Sequence, residues 1–281
     1  MTHSEIINES HIASVFHSMQ ARIKMRPLWS SPWGPHRSFL FDIGDDRRGQ
    51  YFDLQLNSEL LERLVVLDVR PKQRHLLLML REQVPSVGSK GRTDHRVLCG
   101  HDEREWFLAG LPDGQRVTTV AQAMDALKPA IVLESQQRRR VKTKDSNRRR
   151  NAGFLRQGEW FFVPEPAFRV EGRIIHRNEP LTRGDGKPHV AEFLVREGGD
   201  TVYLRRRDSM ILTEPEYRKM LLETTGNTAR EWMVATREPV AYVKGKVRHS
   251  DHKTTELPTW HRVVANTEQT TGRWSNLTFI D

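Results

Sequence analysis

One stretch of the chain, from Ser135 to Gly153, holds almost nothing that a folded core can use. Its only apolar side chain larger than alanine is Val141, whereas eight of its residues are lysine or arginine. Such a segment buries too little apolar surface to offset the entropy that a chain loses on ordering. We therefore expect residues 135–153 to be a basic, Arg-rich flexible linker or exposed loop. It would separate an N-terminal module, 1–134, from a C-terminal module, 154–281.

The charge of the chain is concentrated in the same place. The formal net charge is +9, and residues 136–150 contribute +7 of it, because eight basic residues there accompany one acidic residue. Residues 1–135 are balanced at zero, and residues 151–281 carry +2. Charge of one sign gathered in a short segment is typical of a contact with a polyanion or of a solvated tether.

Short hydrophobic runs between turn signals predict a β-rich fold in both modules. In the N-terminal module, helices are expected over Ser10–Lys24 and Thr119–Leu127, and strands over 38–43, 51–56, 64–69, 75–81, 96–99 and 105–111. In the C-terminal module, strands are expected over 159–164, 189–196, 201–207, 240–248, 260–266 and 277–280. The pattern Thr213-x-x-Glu216 is a capping box that begins a helix. The predicted class is α+β, with mostly antiparallel sheets and a few covering helices.

Apolar runs in the chain are short. The longest, Leu76–Leu80, is far below the roughly 20 residues that cross a bilayer. The first residues lack the continuous apolar stretch of a secretory signal. The single cysteine, Cys99, excludes an intrachain disulfide and suits a reducing compartment. We expect a cytoplasmic protein without a membrane partner, in which Cys99 is a buried structural residue.

The basic segment itself is a candidate binding site. Its cations fall within 13 positions and are Arg138, Arg139, Arg140, Lys142, Lys144, Arg148, Arg149 and Arg150. Arginine binds phosphate in a bidentate manner, and neutralising phosphates releases counterions, so such a cluster suits DNA or RNA. A solvated linker and a loop docked on an acidic partner protein are the alternatives.

Three predicted strands of the C-terminal module each present aromatic or basic residues on one side, because alternate residues of a strand face the same way. The sets are Tyr203, Arg205 and Arg207; Lys244, Lys246, Arg248 and His252; and Trp260 and Arg262. A sheet face with rings among cations suits single-stranded nucleic acid, since bases stack on the rings and cations follow the backbone. The alternative is the ordinary polar side of a half-exposed sheet.

The candidate metal ligands in the sequence are His249, Asp251, His252 and His261. Such side chains bind zinc or manganese, and a hairpin turning near Glu256–Thr259 would bring them together. The spacing matches neither a zincin helix nor a structural site with paired cysteines. Strand alternation also sends His252 to the side opposite His249. We therefore expect no cofactor; a divalent metal, or general acid–base use of one histidine, is the alternative.

No established catalytic signature is present in the sequence. The glycines of Arg183–His189 lack the spacing of a phosphate-binding loop and indicate a tight turn between strands. The sequence therefore predicts a non-enzymatic protein that binds single-stranded DNA or RNA, with a protein partner on its N-terminal module. One alternative is a histidine- or metal-dependent enzyme acting on nucleic acid or nucleotides. Another is an interaction subunit of a larger assembly that binds an acidic protein.

Overall fold

The structure, a computed structural model, describes residues 3–28, 39–86, 89–183, 187–205, 207–208, 210–223, 231–237 and 239–268. Antiparallel sheets predominate and helices are few, which confirms the predicted α+β class. The chain folds as two compact units: residues up to Arg148 with a short segment that starts at Asn266, and Arg149–Ala265. None of the helices in the described ranges is long and apolar enough to span a membrane. The strand expected over 277–280 lies outside the described residues.

The first unit opens with a helix and a three-stranded sheet. Its elements are α1 (His3–Ser18), β1 (Ile23–Pro27), β2 (Phe39–Asp46) and β3 (Gly49–Leu56). The sheet order is β1-β3-β2, with β2 antiparallel and β1 parallel to β3. The predicted helix Ser10–Lys24 is therefore wrong at both ends. Gln20, with a left-handed φ of 63°, follows the last helical turn, and the chain then enters β1.

A four-stranded antiparallel sheet forms the centre of the first unit. After α2 (Ser58–Leu61), its strands follow in spatial order as β4 (Leu64–Arg70), β5 (His75–Ser86), β6 (Ser89–Asp102) and β7 (Glu105–Gly110). β5 is buried on both faces, because Leu76 and Leu78 belong to the core that contains α1 and β3. Leu77 belongs to a second core, built with α3 (Val120–Ala126). Burial on both faces explains the continuous apolar run of β5.

The segment 135–153 has more local structure than a flexible linker. Residues Ala130–Arg138 form α4, and Gln136 in its last turn is buried. The side chains of Lys128 and Gln136 both donate to the carbonyl oxygen of Ser146, at 2.9 and 2.8 Å. These hydrogen bonds stabilise the segment without apolar burial, which an argument from apolar content alone does not count. The division of the chain into modules 1–134 and 154–281 stays a prediction.

The second unit contains two antiparallel sheets. The larger has the order β10 (His176–Leu181), β11 (His189–Glu197), β15 (Val240–Arg248), β16 (Thr255–Ala265), β9 (Trp160–Pro164) and β8 (Leu155–Gln157). The smaller has the order β13 (Ile211–Thr213), β12 (Asp200–Arg205) and β14 (Trp232–Arg237). The helix α5 (Glu214–Glu223) follows β13. Glu216 accepts hydrogen bonds from the backbone N–H and the hydroxyl of Thr213, as the predicted capping box requires.

The reversal between β15 and β16 lies at residues 249–254, before the place that the sequence indicated. The hairpin expected near Glu256–Thr259 is wrong, because these residues lie within β16. The pairing of β16 with β15 shifts between Val243 and Gly245, so β16 bulges around its proline without reversing. The turn that carries three of the candidate metal ligands, His249, Asp251 and His252, thus lies at the end of the larger sheet.

Candidate metal centre and candidate nucleic-acid interface

Three histidines meet where β11 begins and β15 ends. Val190 of β11 pairs with Arg248 of β15, so His189 lies beside the turn that carries His249 and His252. The ring centroid of His189 lies 4.1 Å from that of His249 and 5.6 Å from that of His252, and the last two are 4.7 Å apart. Each residue offers a ring nitrogen within 4.8 Å of those of the other two. We call these three residues the histidine cluster.

His189 is the buried member of the histidine cluster, with 1% of its surface exposed. Neither of its ring nitrogens has a hydrogen-bond partner among the residues that the structure describes. Burial, together with the neighbouring rings of His249 and His252, lowers the pKa of His189 to about 3. The imidazole is therefore neutral at neutral pH and keeps an electron pair on one nitrogen, as a metal ligand must.

The hydrogen bonds of His249 indicate its tautomer. Its Nδ1 accepts from the backbone N–H of Asp251 at 3.1 Å, and its Nε2 lies 3.2 Å from the carbonyl oxygen of Lys187. A backbone N–H can only donate and a carbonyl oxygen can only accept, so Nε2 carries the proton. The ammonium group of Lys187 lies 2.8 Å from the carboxylate of Asp251 and holds the pKa of that carboxyl below its ordinary value.

The turn between β8 and β9 lies against the histidine cluster. Gly158 in this turn has a φ of 57°, and a Cβ atom there would lie 3.1 Å from Nε2 of His252 and 3.4 Å from Nε2 of His189. The preceding residue, Gln157, is buried, and its amide donates to the carbonyl oxygen of Lys253 at 2.8 Å. This hydrogen bond ties the β8–β9 turn to the β15–β16 turn, so the glycine stays beside the two Nε2 atoms.

The structure brings together only half of the candidate metal ligands that the sequence offered as an alternative to a site without metal. His249 and His252 lie in the turn after β15, so the strand alternation invoked against their meeting does not apply to them. The carboxylate of Asp251 forms an ion pair with Lys187 and lies outside the cluster of potential ligand atoms. His261 is buried on β16, where its Nδ1 lies 2.7 Å from a carbonyl oxygen, and it is also outside that cluster.

His189 is the member of the histidine cluster that was not among the candidate ligands predicted from sequence. It is far from His249 and His252 along the chain, where a glycine-containing turn meets the predicted strand 189–196. The available signal was its place as the first residue of a predicted strand. An antiparallel neighbour ending at Arg248 brings that first residue to the following turn, but sequence does not identify which strands are neighbours.

Aromatic rings and cations share the outer face of the larger sheet of the second unit. Tyr242 alternates with buried residues of β15, and the ring of Phe168 stacks on it with centroids 3.8 Å apart and planes at 14°. Phe168 also meets Trp260 edge-on, at 5.7 Å. Arg262 is the cross-strand partner of Tyr242, and Lys244 follows two residues along β15 and is exposed. We call these five residues the aromatic–basic face.

The remaining residues predicted on β15 differ in their surroundings. Lys246 and Arg248 are exposed, and the guanidinium of Arg248 donates to the side-chain oxygen of Asn178 at 2.6 Å. His252 does not continue this row, because it lies in the turn and belongs to the histidine cluster. The sequence argument also missed Tyr242, although it shares the alternation of Lys244, and Phe168, which lies in a loop.

Tyr203 and Arg205 lie on β12 in the smaller sheet, and Arg207 lies just after that strand. The ring of Tyr203, on β12, stacks on Tyr217 with centroids 3.8 Å apart. Arg205 is paired with Asp208 at 2.6 Å, and this hydrogen-bonded carboxylate raises the pKa of Arg205. Arg207 lies 3.7 Å from Glu231. The three predicted sets are therefore divided between two sheets, because alternation predicts a face but not the sheet to which it belongs.

The cations of the basic segment are mostly on the surface. Seven of the eight are exposed, and Arg149 is half-buried. Arg148 is paired with Asp145 at 3.1 Å. Five side chains have no ion pair with any described residue, and these are Arg138, Arg140, Lys142, Lys144 and Arg150. The segment therefore offers charge that the described parts of the chain do not neutralise.

Comparison with known proteins assigns no family. The chain has no significant match to a protein-family model, to a curated protein or to a solved structure. Its function is therefore argued from the chemistry of its own side chains.

Proposed function

We propose that this protein binds single-stranded nucleic acid through the aromatic–basic face, with added affinity from the basic segment. The observation that carries the proposal is the stack of Phe168 on Tyr242 beside Trp260, with Lys244 and Arg262 next to these rings. Unpaired bases stack on aromatic rings, while cations follow the phosphates. A surface that combines the two suits a single strand better than a duplex, whose bases are already stacked.

The basic segment supplies an attraction that does not depend on sequence. Each phosphate that a lysine or arginine neutralises releases counterions, so the affinity falls steeply with salt. The side chains of Arg138, Arg140, Lys142 and Lys144 are suited to this role because no described acidic residue competes for them. A buried thiol as the single cysteine fits action in the cytoplasm. The N-terminal module, 1–134, whose positive and negative charges balance, would dock a protein partner or a second copy of the chain.

The first test measures the salt dependence of binding. Fluorescence anisotropy of labelled oligo(dT) and oligo(U) is recorded over a range of salt concentrations. Replacing Arg138, Arg140, Lys142 and Lys144 by glutamine should weaken binding and flatten the slope by about 0.7 per lost phosphate contact. A matched control replaces Arg47, Arg48, Lys72 and Arg116, which are also exposed, by glutamine. Equal slopes in both variants would contradict a role for the basic segment beyond net charge.

A second arm of this test addresses the aromatic–basic face. Phe168→Ala and Trp260→Ala should each weaken binding by about 1–3 kcal/mol per stacked base lost, with an unchanged salt slope. Tyr203→Leu is the control, because Tyr203 lies in the smaller sheet and its ring stacks on Tyr217 of α5. Full affinity in both test variants, with folding verified by circular dichroism, would show that the face is not the binding surface.

The histidine cluster favours a second candidate function, a metal-dependent enzyme acting on nucleic acid or nucleotides. Three imidazole ligands would leave a coordination position for water, which zinc can activate. Cleavage of the labelled oligonucleotide by the parent chain, lost when a chelator is added and in the His189→Asn variant, would support this enzymatic function.

A third outcome of the binding assay points to an acidic protein as the partner. In that case the protein binds polyglutamate and no oligonucleotide.

A further inference from the structure

We propose that His189, His249 and His252 bind one divalent metal ion of the zinc class. The proposal is independent of nucleic-acid binding. Three potential ligand nitrogens, contributed by the start of β11 and the β15–β16 turn, lie within 4.8 Å of one another. The three side chains come from two elements that are distant in sequence; His189 is fully buried, and His249 and His252 are half-buried.

The burial of both ring nitrogens of His189, without a hydrogen-bond partner among the described residues, is the strongest indication that the histidine cluster binds a metal ion. Buried polar groups are nearly always hydrogen-bonded, because an unpaired one loses its interaction with water without replacement. Both ring nitrogens of His189 are buried and have no partner among the described residues. A metal ion bonded to one of these nitrogens would supply the missing interaction.

His249 is already held in the orientation that a metal-bound histidine needs. Metal-binding imidazoles usually donate their second ring N–H to a carbonyl or carboxylate, which fixes the tautomer. The Nε2–H of His249 faces the carbonyl oxygen of Lys187 at 3.2 Å, which leaves the electron pair on Nδ1. That electron pair accepts from the N–H of Asp251 at 3.1 Å, a hydrogen bond that metal binding would replace.

The wall of the site is made of backbone where a side chain would obstruct it. A Cβ atom on Gly158 would come within 3.1 Å of Nε2 of His252 and within 3.4 Å of Nε2 of His189. The absence of that atom leaves space beside both nitrogens. The hydrogen bond from Gln157 to the carbonyl oxygen of Lys253 holds this glycine against the turn that carries His252.

The ligand atoms favour zinc over manganese. Manganese prefers carboxylate and water oxygens, whereas neutral imidazole suits zinc. The carboxylate adjoining the cluster, that of Asp251, is paired with the ammonium of Lys187 at 2.8 Å. Three protein ligands fill three of the four positions of tetrahedral zinc, and the fourth would hold water.

The experiment uses the full chain, stripped of metal with a chelator and dialysed. Zn²⁺ is titrated against a chromophoric chelator, and Co²⁺ is added separately as a spectroscopic probe. We expect one equivalent of zinc to bind and cobalt to give the absorption of a tetrahedral site. His189→Asn, His249→Asn and His252→Asn should each abolish stoichiometric binding.

The controls separate this ligand set from the one that sequence alone indicated. His261→Asn and Asp251→Asn should retain one equivalent of zinc, as should His176→Asn, a histidine of β10 outside the cluster. Zinc should raise the melting temperature of the parent chain but of none of the three cluster variants, since a ligand that binds the native state stabilises it.

X-ray absorption at the zinc edge of the parent chain keeps the proposal testable even if a variant fails to fold. The expected spectrum contains scattering from three imidazole rings. Less than one equivalent of zinc in the parent chain, a spectrum with fewer imidazoles, or full binding by all three folded cluster variants would each overturn the proposal.

Discussion

At the scale of single residues, the surroundings of Cys99 determine what its thiol can do. Cys99 lies on β6 opposite Leu76 and is fully buried, as the sequence predicted. Burial raises the pKa of the thiol well above its usual value, so the nucleophilic thiolate is scarce at neutral pH. We expect iodoacetamide to label the native protein slowly and the urea-unfolded protein rapidly.

The same pKa shift predicts how stability responds to alkaline pH. Above about pH 8.5 the thiol ionises in the unfolded chain but stays protonated in the folded one, so the free energy of unfolding falls as pH rises. Cys99→Ala should cost roughly 0.5–3 kcal/mol at neutral pH and should reduce this alkaline loss. Urea unfolding at about pH 7 and about pH 9.5, on either side of the thiol's ordinary pKa, measures both. Rapid labelling of the native protein would contradict the structural role.

Residue-scale patterns predicted the exposure of side chains well where the backbone is regular and failed where it is not. Alternation correctly placed Lys244 and Lys246 on the exposed side of β15. It failed for His249 and His252, because β15 ends at Arg248 and a turn has no period of two. The candidate metal site was half found for this reason.

At the scale of elements, α3 depends on the residue that caps it. The hydroxyl of Thr119 accepts from the backbone N–H of Gln122 at 3.2 Å, and the side-chain oxygen of Gln122 accepts from the backbone N–H of Thr119 at 3.2 Å. Thr119→Ala removes an acceptor for a helix N–H and should cost about 1 kcal/mol, whereas Thr119→Ser should cost much less. Urea unfolding of the parent chain and both variants checks this. If the Thr119→Ala and Thr119→Ser variants are equally stable, the cap contributes nothing.

Elements with a strong local signal were predictable, and those defined by distant partners were not. The run Leu76–Leu80 predicted β5, and Thr119–Leu127 predicted α3, since apolar spacing and caps are local. β1 and α4 were missed. β1 exists because Ile23–Pro27 pairs in parallel with β3, and the last turn of α4 is held by the hydrogen bonds that Ser146 accepts.

At the scale of the whole molecule, the basic segment is a place where the chain can be cut without loss of a buried apolar side chain. Between Val132 and Phe154, all of which the structure describes, no apolar side chain is buried.

The chain returns to the first unit after Ala265. The hydroxyl of Thr267 donates to the carbonyl oxygen of Ala126 at 2.8 Å, and the N–H of Thr267 donates to the carbonyl oxygen of Leu127 at 3.1 Å. No change in composition marks this return, so the sequence predicted a single crossing between modules.

Limited trypsin digestion tests whether the two units are stable on their own. Trypsin should cut first within 138–150, because most of the arginines and lysines there are exposed and lie in short turns that can open locally. Two resistant fragments of similar size should follow. Separated from Thr267, the N-terminal fragment should melt at a lower temperature than the first unit of the intact chain, since it loses both hydrogen bonds of that residue. A first cut elsewhere, identified by mass spectrometry, would contradict the local opening expected for this segment. Immediate degradation of both fragments would show that neither unit is stable without the other.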